Sequence, residues 1–207
     1  MSQIQQKIET TIPKEVTMVL AVLQSASFEA FLVGGCVRDI IMGNKPKDFD
    51  ITTNATPEEI IALFPKTFYE NTYGTVGVVT CGEENLPTCS DETVKIVEVT
   101  PYRLETTYSD NRHPDEVKWS RNIEDDLKRR DFTCNAIAYN PMTGEIIDPF
   151  DGRTDIQKKI IRAVGNPDVR FNEDALRLMR AVRLMSQLDF DIDSVTRESI
   201  ERNAHLL

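Results

Sequence analysis

Apolar residues recur at helical spacing near the start of the chain, at Val16, Val19, Leu20 and Leu23 behind Pro13. They predict an amphipathic helix over residues 13–30, packed behind a first strand at Phe31-Leu32-Val33. Asp48-Phe49-Asp50-Ile51-Thr52-Thr53 reads as a second strand. Thr56-Pro57-Glu58-Glu59 has the order of a helix start, with an N-cap threonine, proline at the first helical position and early acids. That helix is predicted to run to about Phe64. β-branched runs at residues 75–80 and 94–100 predict two strands, separated by a polar hairpin at residues 82–92. The polar stretch from Tyr108 to Pro114 predicts a mobile loop, followed by a charged helix from about Asn122. Residues 136–139 and 145–148 read as strands around the turn Asn140-Pro141-Met142-Thr143-Gly144.

Up to residue 150 the pattern is that of a mixed α/β or α+β domain centred on a small sheet. Past Asp151-Gly152-Arg153 the periodicity becomes helical, with helices predicted over residues 172–187 and 193–204. The division expected is therefore 1–150 and 151–207. Leu184, Met185 and Leu188 are expected to offer apolar surface to something further on, as in the front portion of a longer protein. No internal repeat is apparent.

Composition narrows the class. A chain of 207 residues, 40% hydrophobic and 28% charged, can hold one sizeable core or one domain plus part of another. No apolar stretch approaches the ~20 residues of a membrane helix and no signal pattern opens the chain, so the expected location is cytoplasmic, with no membrane partner. Cys36, Cys81, Cys89 and Cys134 lack C-x-x-C spacing and are expected to be reduced thiols. A net charge of -10 argues against a strong unaided grip on nucleic acid.

Candidate chemistry begins at Gly34-Gly35. Without a Cβ, these residues let backbone amides approach a phosphate, and Arg38 adds a fixed positive charge. Asp48 and Asp50, at i and i+2 on a predicted strand, project from one face and suit Mg²⁺, a hard cation that shares its shell with substrate phosphates. Together they have the look of a nucleotidyltransferase site.

Two later clusters extend it. Arg129-Arg130-Asp131-Phe132-Thr133-Cys134-Asn135-Ala136 could grip triphosphate oxygens and a ribose hydroxyl, or form a solvated helix end where arginine complements the dipole. In Glu173-Asp174-Ala175-Leu176-Arg177, Arg177 stands at i+4 from Glu173 and i+3 from Asp174 on a predicted helix. The plain alternative is an intrahelical salt-bridge face. Asp174 beside Arg177 also presents one acceptor and a fork of donors, matching the amine and ring nitrogen of cytosine or adenine. Guanine and uracil would set a carbonyl against the carboxylate.

These motifs, from about Phe31 to Phe190, resemble the class II tRNA nucleotidyltransferases, the CCA-adding enzymes, and their bacterial poly(A) polymerase relatives. The resemblance rests on Leu32-Val33-Gly34-Gly35-Cys36-Val37-Arg38-Asp39, Asp48-Phe49-Asp50, the Arg129 to Ala136 run, Asp148-Pro149-Phe150-Asp151-Gly152 and Glu173-Asp174-Ala175-Leu176-Arg177. It implies an α+β polymerase-β-like head with a small mixed sheet, then an α-helical neck, with the family's later body and tail domains absent from these residues. It implies that Asp48 and Asp50 bind metal and that Gly34, Gly35 and Arg38 meet the triphosphate. By the same resemblance Arg130, Asp131 and Asn135 serve ribose and phosphates, and Asp174 and Arg177 select the base, with Glu173 orienting the arginine and Arg180 in the same nucleotide-binding set. Glu98, in Val97-Glu98-Val99, is the candidate third carboxylate, against a role at the sheet edge.

Residues 103–114 resemble the family's flexible loop for the switch from C to A addition, with Arg103, Tyr108, Asp110 and Arg112 as its candidate residues. Tyr73-Gly74-Thr75-Val76-Gly77-Val78-Val79 looks more like CCA-adding enzymes than poly(A) polymerases. The implied reaction is attack by a tRNA 3′-hydroxyl on the α-phosphate of CTP or ATP, aided by two Mg²⁺ ions. A-only or CC-only addition, poly(A) synthesis and a non-catalytic nucleotide- or RNA-binding module are the alternatives.

Overall fold

The computed structural model describes residues 12–70, 73–82, 86–90, 94–105 and 116–207. Helix α1 (Lys14–Ser25) ends five residues before the sequence pattern predicts, because Ser27 takes a left-handed φ of 68° and turns the chain toward strand β1 (Ala30–Val33). Helix α2 (Gly35–Met42) and strand β2 (Asp50–Thr53) follow. Helix α3 (Pro57–Leu63) carries a full capping box, in which Thr56 accepts from the Glu59 amide while the Glu59 carboxylate accepts from the Thr56 amide. Strands β3 (Thr67–Tyr69), β4 (Val76–Val79) and β5 (Ile96–Pro101) complete one side of the sheet.

A two-stranded ribbon, β6 (Arg103–Glu105) with β7 (Val117–Trp119), leads into helix α4 (Ile123–Lys128). A 3-10 turn (Thr133–Asn135) then precedes β8 (Ala138–Asn140) and β9 (Glu145–Ile147). The main sheet has seven strands in the order β3-β4-β5-β2-β1-β8-β9, antiparallel except for the β2–β5 pair. Of the mixed α/β and α+β classes that the pattern allows this is the α+β one, and its sheet is mixed, as the resemblance implies.

The two faces of the sheet differ. Leu32, Ile51, Val76, Val78, Val97 and Val99 point to one side, where Val16, Val19, Leu20 and Leu23 of α1 and Ile60 of α3 complete the main core. Each α1 residue is fully buried, worth ~1.5–3 kcal/mol relative to exposure. On the other side Phe31, Val33, Tyr102, Ile123, Leu127 and Ala138 form a smaller cluster that leaves part of the face open. The polar residues Asp50, Thr52, Glu98 and Thr100 alternate onto that second face, because pleating sends successive side chains to opposite sides.

Residues 152–207 are mainly helical: α5 (Gly152–Lys158), α6 (Pro167–Glu173), α7 (Leu176–Leu188) and α8 (Ser194–Asn203), with the short parallel pair β10 (Ile160–Ile161) and β11 (Asp191–Ile192). The helix predicted over residues 172–187 is two helices, broken at Asp174. That residue adopts extended angles and accepts from the Leu176 amide at 2.9 Å, so its side chain competes with the helical ladder. Leu184 is buried in the main core and Leu188 packs against it, contrary to the apolar surface expected of them. The large apolar side chains that α7 exposes are Leu176, Met179 and Val182.

Two of the four expected thiols are joined. Cys81 and Cys89 form a disulfide because Gly82, at φ 81°, turns the chain straight after β4 and donates its amide to Pro87 O, bringing the two Cα atoms to 5.2 Å. Cys36 and Cys134 are free and buried, and burial pushes their thiols up to about 11 and about 12, so they stay protonated. No helix among the described residues is long and apolar enough to cross a membrane.

Candidate active site

Strand register gathers the carboxylates. Asp50, the first residue of β2, lies directly opposite Glu98 of β5, so both side chains stand on the open face about one strand spacing, ~4.8 Å, apart. Asp48 sits in an exposed bend before the strand, with Phe49 buried between the two aspartates. Burial raises the Asp50 carboxyl, Arg130 pulls it back and Asp48 raises it further. Glu98 is raised by burial, then by Asp50, Glu70 and Asp48. Glu98 therefore belongs to an acidic row on an interior strand, flanked by β4 and β2, and not to a sheet edge. The oxygen-only donor set fits a hard divalent cation, but among the described residues no three acidic, histidine or cysteine side chains could hold an ion by themselves.

Beside this row the chain leaves β1 through Gly34, whose φ of 81° and ψ of -138° suit only glycine. A Cβ there would sit 3.2 Å from Arg130 Nη1 and 3.7 Å from Asp50 Oδ2. The glycine thus lets a cation, a carboxylate and the first amides of α2 share one small space. Gly35 lies under the Arg38 guanidinium, 3.5 Å from the position of its missing Cβ.

A relay of polar contacts runs from here to the C-terminal helices. Arg38 donates to Asp39 Oδ1 at 2.7 Å and to Asn135 Oδ1 at 2.7 Å. Asn135 donates to Asp131 Oδ1 at 3.2 Å, which also accepts from the Phe132 amide. Asp131 Oδ2 accepts from Arg180 Nε at 2.8 Å and Nη2 at 2.5 Å. Asp131 is buried, yet Arg180 leads the interactions that hold its carboxyl below the usual range against that burial.

The arginine pair preceding Asp131 is not a solvated helix end. Asp126, fully buried in α4, accepts from Arg129 through Oδ1 at 2.6 Å and from Arg130 through Oδ2 at 2.9 Å. The two guanidinium groups hold its carboxyl low despite its burial. At the C-terminal end of α4, Lys128 O accepts from Arg170 at 3.1 Å and Arg129 O from Arg177 at 3.1 Å. Cations here complement the negative end of the helix.

Glu173 is clamped between two arginines, Arg170 and Arg177, the latter at 2.7 Å. Arg177 Nη1 also donates to Arg170 O at 3.1 Å. Glu173 and Arg177 thus meet across the break between α6 and α7, a correction to the single helix expected. Three of the five Arg177 donors are engaged by these groups and Arg129 O, which leaves two.

Residues 30–162 match the model of the Poly A polymerase head domain. The chain belongs to that family. Among curated relatives it is 47% identical over 204 residues to a CCA-adding enzyme of Ligilactobacillus salivarius, covering 97% of this chain and 47% of the relative. Among solved structures, the Bacillus stearothermophilus CCA-adding enzyme in complex with CTP superposes with a TM-score of 0.79 at 40% identity, covering 100% of this chain and 45% of that one. The Thermotoga maritima CCA-adding enzyme complexed with tRNA shares the fold, at TM-score 0.73 and 23% identity over 99% of this chain and 45% of that one. The chain spans about half the length of the relatives it matches.

Within this head-domain family member, the Asp148-Pro149-Phe150-Asp151-Gly152 motif is a joint. Asp148 accepts from the Gly152 and Arg153 amides at 2.7 and 3.0 Å, and a Cβ on Gly152 would lie 2.2 Å from Thr133 O. It fastens α5 against the turn that carries Asn135. Arg103 donates to Tyr73 O at 3.1 Å and lies 5.6 Å from that ring's centroid, anchoring the ribbon base. Tyr108, Asp110 and Arg112 lie outside the described residues. Sequence reasoning missed Asp126, Asp39 and Arg170. The first two look like ordinary helix acids, and only the two adjacent arginines hinted that Asp126 has a partner.

Proposed function

We propose that this chain carries the catalytic and nucleotide-selecting part of a tRNA nucleotidyltransferase that adds C and A from CTP and ATP to the tRNA 3′ end, releasing pyrophosphate. The observation that carries the reading is the register of Asp50 against Glu98 beside the Gly34 turn, with arginines on the far side. The likeness to CCA-adding enzymes, one of them solved with CTP, supports it. The division into a head, 1–150, and a neck, 151–207, belongs to the same proposal.

In this reading Asp48, Asp50 and Glu98 would supply part of the shell of Mg²⁺ and the substrate phosphate oxygens the rest, a sharing that suits the ion's all-oxygen preference. Bound there, the ions would lower the acceptor hydroxyl's pKa and neutralise charge on the departing pyrophosphate. Gly34, Gly35 and the α2 amides cradle the triphosphate, with Arg38 and Arg130 facing it. Asp131 has both oxygens engaged, so it holds Asn135 and Arg180 in place against the nucleotide. Asp174 and the two remaining Arg177 donors read the base, and Glu173 fixes the arginine. The base-reading pair straddles a helix break, so its geometry depends on Arg170 and the end of α4. Nucleotide binding with no transfer would favour the non-catalytic alternative. Incubating the chain with a tRNA ending before CCA, with CTP and ATP apart and together, tests the reading.

A further inference from the structure

We propose that Phe68 is a stacking platform for the terminal base of the acceptor RNA. The inference rests on the nucleotidyltransfer reading for the direction of attack, and on the sheet for the residue. Register places Val33, Asp50, Glu98, Gly77 and Phe68 in one row across five strands. Directly paired residues share a face, so the Phe68 side chain stands on the same open face as the carboxylates. The ring lies flat over Gly77, where a Cβ would meet it at 2.4 Å, and Phe68 remains 38% exposed. Its neighbour Tyr69 points the other way, to Glu58 of α3.

The row has a direction. The phosphate-cradling turn at Gly34 follows Val33 at one end, the carboxylates stand in the middle, and the ring lies at the other end. In-line displacement needs the entering hydroxyl opposite the departing pyrophosphate. With pyrophosphate leaving toward Gly34, the acceptor's last nucleotide must come over β5, β4 and β3. The Phe68 ring, leaning over Gly77, is about one strand spacing, ~4.8 Å, from Glu98 on that approach. A phenyl face binds any base by stacking and needs no positive charge, which suits a chain of net charge -10. Trp119 covers Gly74 in the same manner but lies at the ribbon base, outside the row.

The test is the affinity of a fluorescent tRNA acceptor minihelix ending before CCA, compared with the same RNA made abasic at its last nucleotide. Wild-type chain should bind the intact RNA about tenfold more tightly than Phe68→Ala or Phe68→Leu does, and Phe68→Trp should restore binding. On the abasic RNA all four proteins should be equal. Trp119, the sole tryptophan, reports whether Phe68→Ala and Phe68→Leu are folded. Wild-type affinity in Phe68→Leu would mean the ring only covers Gly77 and would overturn the proposal, as would an equal loss on both RNAs. CTP incorporation is measured alongside: a base-dependent Phe68 effect without incorporation would sink the nucleotidyltransfer reading and leave the platform standing.

Discussion

Asp50 and Glu98 are raised in the same head that holds Asp126 and Asp131 low. Burial pushes all four upward, so burial does not explain the difference. Asp126 faces two arginines and Asp131 faces Arg180, whereas the Asp50–Glu98 row has, among the described residues, mostly other acids for company, with Arg130 beside Asp50. The satisfied pair is framework, since a carboxylate already matched by guanidinium groups has little to gain from a ligand. The unsatisfied pair is where an incoming cation gains most.

The largest expected effect comes from emptying the unsatisfied row. Asp50→Asn should lower nucleotide incorporation by at least ~10²–10³-fold, the scale of losing one preorganised charge-stabilising group. Its urea midpoint should stay level or rise, because a crowded charge is removed. A fall in stability with activity retained would reverse the comparison. The framework should behave oppositely: Asp126→Ala strands two arginines beside a buried hole and should destabilise by about 3–5 kcal/mol in urea unfolding. A loss under ~1 kcal/mol would show that Asp126 is not framework.

Base reading comes next. Arg177→Ala should reduce discrimination of CTP and ATP against GTP and UTP by about tenfold in competition assays, the scale of ~1–3 kcal/mol for an unpaired polar group. Unchanged discrimination would remove Arg177 from the site.

The smallest effect is in pH dependence, and its signs differ between the two pairs. For Asp50 and Glu98 the folded state binds protons more tightly than the unfolded chain, whose carboxyls titrate at ~3.9–4.3. Stability should therefore fall as pH rises from there through their raised folded values. Mg²⁺ should raise Tm above that window and have little effect below it, and Asp50→Asn should abolish the rise. Asp126 and Asp131 stabilise above the unfolded pKa, and that contribution is lost as pH falls below ~4 toward their lowered folded values, with or without Mg²⁺. A Tm increase from Mg²⁺ that is equal at about pH 4, within the unfolded carboxyl range, and well above it would erase the distinction.

Local signals were the readable ones. The Thr56 N-cap of α3, the start of α4 near Asn122 and the Gly34-Gly35 turn each depend on a few adjacent residues, and each stands where the pattern puts it. Glu98 could only be a candidate, because its pairing with Asp50 is a register between strands 48 residues apart. The helix break at Asp174 was hidden because Glu173 and Arg177 keep their i,i+4 contact across it. The Cys81–Cys89 pair was missed because it depends on the left-handed turn at Gly82, which spacing rules do not describe.

Primer extension bears most directly on the central claim, that the acidic row and the arginine relay form one nucleotidyl-transfer site. With Mg²⁺ and a tRNA ending before CCA, CTP alone should give products extended by C only, and CTP with ATP should complete CCA. Absence of any extension by a chain that is folded and binds CTP, or a long tail of A from ATP alone, would contradict the account.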